Sequence, residues 1–126
     1  MVPIDTAEAI QRIQKAKSSH IKWRSYAQGL VAGLPVSEDK APLRHTDCEF
    51  GKWYYGDGAM QLGHLPVFQD IAGPHEVLHQ TYALLFEQAK KGRHAKAQEQ
   101  MGHLVAISRS LLELLDILEQ QVRSGG

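Results

Sequence analysis

The sequence has one cysteine in 126 residues. No disulfide can form within the chain, and the thiol is left for metal or redox chemistry in a reducing compartment. Neither charge is in excess, with 14 Lys and Arg against 14 Asp and Glu. That balance removes the electrostatic basis for binding nucleic acid or an anionic membrane. No apolar run approaches the ~18 residues of a spanning helix, and the first residues lack the basic-then-apolar pattern of a secretion signal. The expected location is the cytoplasm. Aromatic residues make up only 7% and β-branched residues are sparse. Ala, Leu, Gln, Glu and Lys are plentiful instead, a composition that favours helix. There is no internal repeat, and the length fits one domain over residues 1–126 with a true hydrophobic core.

Apolar spacing divides the chain into three long helices and a short one. Asp5 and Glu8 stand three apart ahead of Ile10, Ile13, Ala16, His20, Ala27 and Leu30. This is a capping pair followed by a helical stripe, with Trp23 one turn beyond His20. The first helix is expected over about residues 5–33, ended by Gly33 and Pro35. A connection holding Pro35 and Pro42 leads to a short helix from Cys48 to Tyr55. Asp47 is its expected cap, and Phe50, Trp53 and Tyr54 form its apolar face. Gly56-Asp57-Gly58 is expected to close it into a loop that carries Gly63 and His64. The third helix is expected to begin at Pro66, with Ile71, His75, Leu78, Tyr82, Leu85 and Ala89 facing inward. Gly73-Pro74 is expected to kink it or to start a new helix. After Gly92, Met101, Leu104, Ser108, Leu111, Leu115, Leu118 and Val122 form a heptad seam in a fourth helix over about residues 93–123. Val105, Leu112, Leu114 and Ile117 lie off that seam, enough apolar surface for a further helix or a second subunit. The expected fold is all-α, an antiparallel up-and-down four-helix bundle whose short helix carries the cysteine.

The chemistry-bearing residues lie in three separate segments. His75 and His79 are one helical turn apart, so both rings can reach one ion. His20 projects inward from the first helix, and Cys48 begins the short helix, where the dipole favours a thiolate. Zinc binds such thiolate and imidazole donors tetrahedrally. Each residue alone has a plainer explanation: an inward histidine is more often a hydrogen-bonded core residue, and a lone cysteine a small buried hydrophobe. Together, His20, Cys48, His75 and His79 are the expected ligands of one zinc ion. Three neutral imidazoles, one thiolate and the dication leave a charge of about +1, and Asp47, Asp70 and Glu76 are the acceptors available to orient a ligating ring. His45, His64, His94 and His103 are expected on the surface or in loops, His45 being the nearest substitute ligand.

His20-Ile21-Lys22-Trp23, then Cys48-Glu49-Phe50-Gly51-Lys52-Trp53, then His75-Glu76-Val77-Leu78-His79 resemble, in order and separation, the chemoreceptor zinc-binding (CZB) domain family. The resemblance covers nearly the whole chain. It implies a helical bundle that binds zinc through three histidines and one cysteine, matching His20, Cys48, His75 and His79. Trp23, Phe50, Gly51 and Trp53 match its packing residues. It also implies a regulatory domain of cytoplasmic chemoreceptors or of proteins with diguanylate cyclase domains, in which zinc occupancy or oxidation of the cysteine by hypochlorous acid modulates output. A homodimer is the expected assembly. The chain carries no recognisable output domain of its own.

Two other functions fit parts of the pattern. His75-Glu76-Val77-Leu78-His79 also matches the HExxH helix of zinc metalloproteases, whose glutamate activates a zinc-bound water. Catalytic zinc needs an open position, which Cys48 and His20 would fill. Position 85, six residues after His79, is Leu, so the longer metzincin motif is absent. A hemerythrin-like di-iron bundle for oxygen needs several inward glutamates and repeated Glu-x-x-His pairs. Glu76 and His79 form one such spacing, with no second.

Overall fold

The computed structural model describes residues 3–34 and 48–125. They form five helices: α1 (Thr6–Val31), α2 (Glu49–Tyr55), α3 (Asp57–Leu62), α4 (Pro66–Lys90) and α5 (His94–Arg123). No strand occurs among the described residues, so the fold is all-α, in line with the helix-favouring composition. Pro35, Pro42, His45 and Asp47, to which the sequence assigned loop and capping roles, lie outside the described residues.

The helix ends follow from local chemistry. Asp5 caps α1, its Oδ1 accepting from the Glu8 amide at 3.1 Å. The reciprocal half of a capping box is not made by Glu8. The Asp5 amide donates instead to Gln61 Oε1 of α3 at 2.9 Å, which ties the start of α1 to the short helices. At the other end Gly33 takes φ +83°, and the Leu34 amide returns to the Gly29 carbonyl at 2.8 Å. This left-handed cap satisfies carbonyls that a helix end leaves open. Gly92 repeats the device after α4 with φ +73°. Pro66 occupies the first turn of α4, where its missing N–H costs nothing.

Two sequence expectations need correction. Residues 57–62, expected as loop, form α3, which buries Gly58 and Leu62 on one face. And Gly73-Pro74 starts no new helix: α4 is continuous from Pro66 to Lys90, with Pro74 inside it. A proline inside a helix costs about 3 kcal/mol. Gly73 has no Cβ to clash with the proline ring, and the carbonyl deprived of its partner belongs to the exposed Asp70. Burial of Val67, Phe68, Ile71 and Leu78, at about 1.5–3 kcal/mol each, outweighs the loss.

The core lies among the three long helices and is closed on one side by α2 and α3. The α5 seam is as expected: Met101, Leu104, Ser108, Leu111, Leu115, Leu118 and Val122 are all buried. On α1 the buried stripe is Ala9, Ile13, Ala16, His20, Trp23, Ala27 and Leu30, with Ala9 in the place expected for Ile10. Side chains advance together along α1 and α4, His20 beside His75 and Trp23 beside His79 and Tyr82. They run oppositely along α1 and α5, where Lys17 meets Asp116 and Glu119 and Arg24 meets Ser108.

Trp53 of α2 stands close to Gly58 of α3. A Cβ added to Gly58 would sit 2.8 Å from the Trp53 carbonyl oxygen and 3.0 Å from two atoms of its ring. Alanine gains up to ~1 kcal/mol of helix propensity over glycine, but overpacking costs about 1–3 kcal/mol. Gly58→Ala is therefore expected to destabilise the protein in urea unfolding. Gly102→Ala on α5, where a Cβ meets nothing within 4 Å, is expected to stabilise it by about 0.5–1 kcal/mol. The opposite order would show that α3 does not pack on Trp53 in this way.

Candidate metal centre

Three helices bring the four expected donors together. His20 lies on the α1 stripe, four residues after Ala16, and is 2% exposed. His75 and His79 stand one turn apart on α4 at 0% and 1% exposure. Cys48 is the N-cap of α2 and is likewise buried. One ligand atom from each of the four lies within 4.8 Å of the others. No other group of three such residues converges in this way among the described residues.

Cys48 Sγ is 3.3 Å from His75 Nε2, which is 3.1 Å from His79 Nε2. A zinc tetrahedron with Zn–N of about 2.05 Å and Zn–S of about 2.3 Å separates two nitrogens by roughly 3.4 Å and a nitrogen from sulfur by roughly 3.6 Å. These two pairs therefore stand close to ligand–ligand spacing. His20 is held differently. Its Nδ1 donates to the Ala16 carbonyl at 2.7 Å; because a carbonyl only accepts, Nδ1 carries the proton and Nε2 keeps its lone pair. That Nε2 is buried and has no hydrogen-bond partner among the described residues. A buried polar atom in this state costs about 1–3 kcal/mol, and its lone pair is the kind of donor a metal ion takes. Burial lowers the His20 pKa against the opposing pull of the Ala16 bond, so the ring stays neutral, as a ligand must. Cys48 Sγ accepts from the Gly51 amide at 3.2 Å, a contact that favours the thiolate.

Aromatic rings wall the group. Trp23 meets His79 edge-on at 4.4 Å, and Phe50 meets His75 at 5.1 Å and His20 at 6.1 Å. Behind them Tyr54 stacks on Phe68 at 4.2 Å and its hydroxyl donates to the Phe68 carbonyl, fixing α2 to α4. The residues with the plainest sequence explanation, core aromatics, thus surround the donors with low-dielectric material.

Neither of the expected orienting carboxylates among the described residues is in the group. Asp70 and Glu76 are exposed, and Glu76 accepts from Gln80 Nε2 at 3.3 Å. In a protease of the HExxH kind the glutamate must reach the metal-bound water; here it lies on the solvent side of α4. The acceptor that orients His20 is the Ala16 backbone carbonyl, which the sequence marks only by the four-residue offset along a helix. Cys48 itself supplies the cap assigned to Asp47. His64, His94 and His103 are exposed, as expected.

A folded-state pKa below the unfolded value near 6.5 makes His20 harder to protonate in the folded chain, so stability falls as pH drops through that value. Metal-free protein is expected to lose stability between pH 7 and 5, and His20→Leu to lose less over the same range. Parallel pH profiles in urea unfolding would contradict the neutral, buried state of this ring.

No curated protein and no solved structure matches the chain. The family model described as the chemoreceptor zinc-binding domain matches residues 20–85, from the first donor to the α4 turn beyond the last. More than half of the chain is covered, the match spans all three donor segments, and the metal of this family is zinc. The chain belongs to the chemoreceptor zinc-binding domain family.

Proposed function

We propose that His20, Cys48, His75 and His79 bind one zinc ion in a closed site and that the domain regulates an attached or associated signalling protein. The observation that carries this is the convergence of four buried donors from three helices inside an aromatic shell. Neutral imidazoles at His20, His75 and His79 and a thiolate at Cys48 would hold the ion. When bound, zinc supplies a cross-link among α1, α2 and α4 and a charge that keeps the thiolate deprotonated. A four-ligand set leaves no position for a reacting water, which favours regulation over hydrolysis. With no carboxylate in the group among the described residues, nothing described there supports a di-iron oxygen site.

The contact order along the helices supports an up-and-down antiparallel arrangement with α2 as the short fourth member. One domain over residues 1–126, a cytoplasmic location and a homodimer complete the proposal. Zinc occupancy would set the position of α1 and α2 against α4, and a two-fold dimer would pass that change to a chemoreceptor or diguanylate cyclase output. Oxidation gives a second input. The Cys48 thiolate takes the oxygen of hypochlorous acid, releasing chloride, and the resulting sulfenic acid is a weaker metal donor.

Because Cys48 also caps α2, Cys48→Ser isolates its metal role by keeping an acceptor for the Gly51 amide. This variant is expected to bind zinc about a hundredfold more weakly and to lose about 10 °C of zinc-dependent melting temperature. Its metal-free melting temperature should stay close to that of the native chain. Glu76→Gln is expected to keep the native zinc content and affinity. Unchanged zinc affinity in Cys48→Ser would remove the cysteine from the site; loss of zinc in Glu76→Gln would revive the protease geometry.

A further inference from the structure

Ser108 is the one polar residue in the buried seam of α5, at 1% exposure, and neither the core nor the metal site accounts for it. Its Oγ accepts from Arg24 Nε at 3.0 Å. Arg24 lies four residues after His20 on α1. Three residues before His20, Lys17 reaches α5 as well, pairing with Asp116 and donating to Glu119 Oε1 at 3.2 Å. Glu119 is further held by Arg123 at 3.0 Å. Burial works against the Lys17 charge, yet its bonds to Asp116 and Glu119 outweigh this and raise its pKa. His20 is therefore bracketed, one turn to each side, by polar contacts to the same partner helix.

We propose that Arg24–Ser108 and Lys17–Glu119 form a register clamp that positions His20 for metal binding. The inference rests on the zinc site proposed above and adds positioning residues to it. Apolar side chains such as Ile13, Ala16, Ala27 and Leu30 hold α1 to the core but specify its axial position weakly, since hydrophobic contact is not directional. A directional bond from a polar seam residue fixes register, as polar residues at core positions of helical bundles do. The distances show why register matters here. A slip of α1 by one turn moves His20 by about 5.4 Å, whereas the whole donor group fits within 4.8 Å. The clamp acts from α5, a helix that supplies none of the four donors and lies outside the matched residues 20–85.

The test compares the native chain with Arg24→Met, Ser108→Ala, the double variant and Arg24→Lys. Zinc affinity is read by competition with a chromophoric chelator, and site geometry by the visible spectrum of the cobalt(II) form. Arg24→Met and Ser108→Ala are each expected to bind zinc about tenfold more weakly, and the double variant no more weakly than either single one. Both singles should lose intensity in the tetrahedral cobalt bands, and Arg24→Lys should restore affinity and spectrum. Affinities within about twofold of native, on the scale of ordinary additivity error, together with an unchanged cobalt spectrum would overturn the clamp even if stability fell. Should Arg24→Met lose its helical circular dichroism without metal, Lys17→Met gives the same comparison under the same criteria. A native chain that binds no zinc would overturn the metal site itself; native binding with native-like variants would overturn the clamp alone.

Discussion

Three imidazoles and a thiol packed together in an apolar interior form an expensive arrangement. Each buried polar atom without a good partner costs about 1–3 kcal/mol, and His20 Nε2 has none among the described residues. Apolar side chains of similar volume would fill the same space at no such cost. Structural zinc in small domains contributes about 10–16 kcal/mol of apparent binding free energy, more than enough to offset several such penalties. The rest of the structure follows from keeping these donors together. α1 carries one, α2 begins with one, and α4 stays helical through Pro74 so that His75 and His79 remain one turn apart.

The surroundings serve the same constraint at different ranges. The Ala16 carbonyl fixes the His20 tautomer, and the Gly51 amide faces the sulfur. Trp23 and Phe50 meet the imidazoles of His79 and His75 in T-shaped contacts. Tyr54 anchors α2 to the α4 backbone, and close approach of Gly58 lets α3 support Trp53. A change in the charge or oxidation state of Cys48 bears directly on the start of α2, because the sulfur that faces the three histidines is also the helix cap. That double duty connects the chemistry of the site to the conformation of the fold.

Much of this was legible in the sequence. The heptad seam of α5, the caps at Asp5, Gly33 and Gly92, the start at Pro66 and the inward faces of His20 and His75 all express local periodicity or backbone preference. So does the meeting of His75 and His79. What sequence missed depends on tertiary contact. α3 is helical with Gly58 and Leu62 buried and Gly58 set close to Trp53 of α2, an outcome glycine-rich local propensity opposes. Pro74 is tolerated because its lost bond falls on the exposed side of a well-packed helix. Asp70 and Glu76 were plausible orienting groups by composition, yet the pitch of α4 turns them to solvent. Side chain–backbone contacts such as His20 to Ala16 leave almost no compositional trace.

Whether these four side chains form one closed shell is read most directly by zinc X-ray absorption on the loaded protein. A shell of three nitrogens and one sulfur, with the sulfur at about 2.3 Å, is the result the account predicts, and it should lose its sulfur in Cys48→Ser. A shell without sulfur in the native protein, or with five or six light-atom ligands, would contradict it.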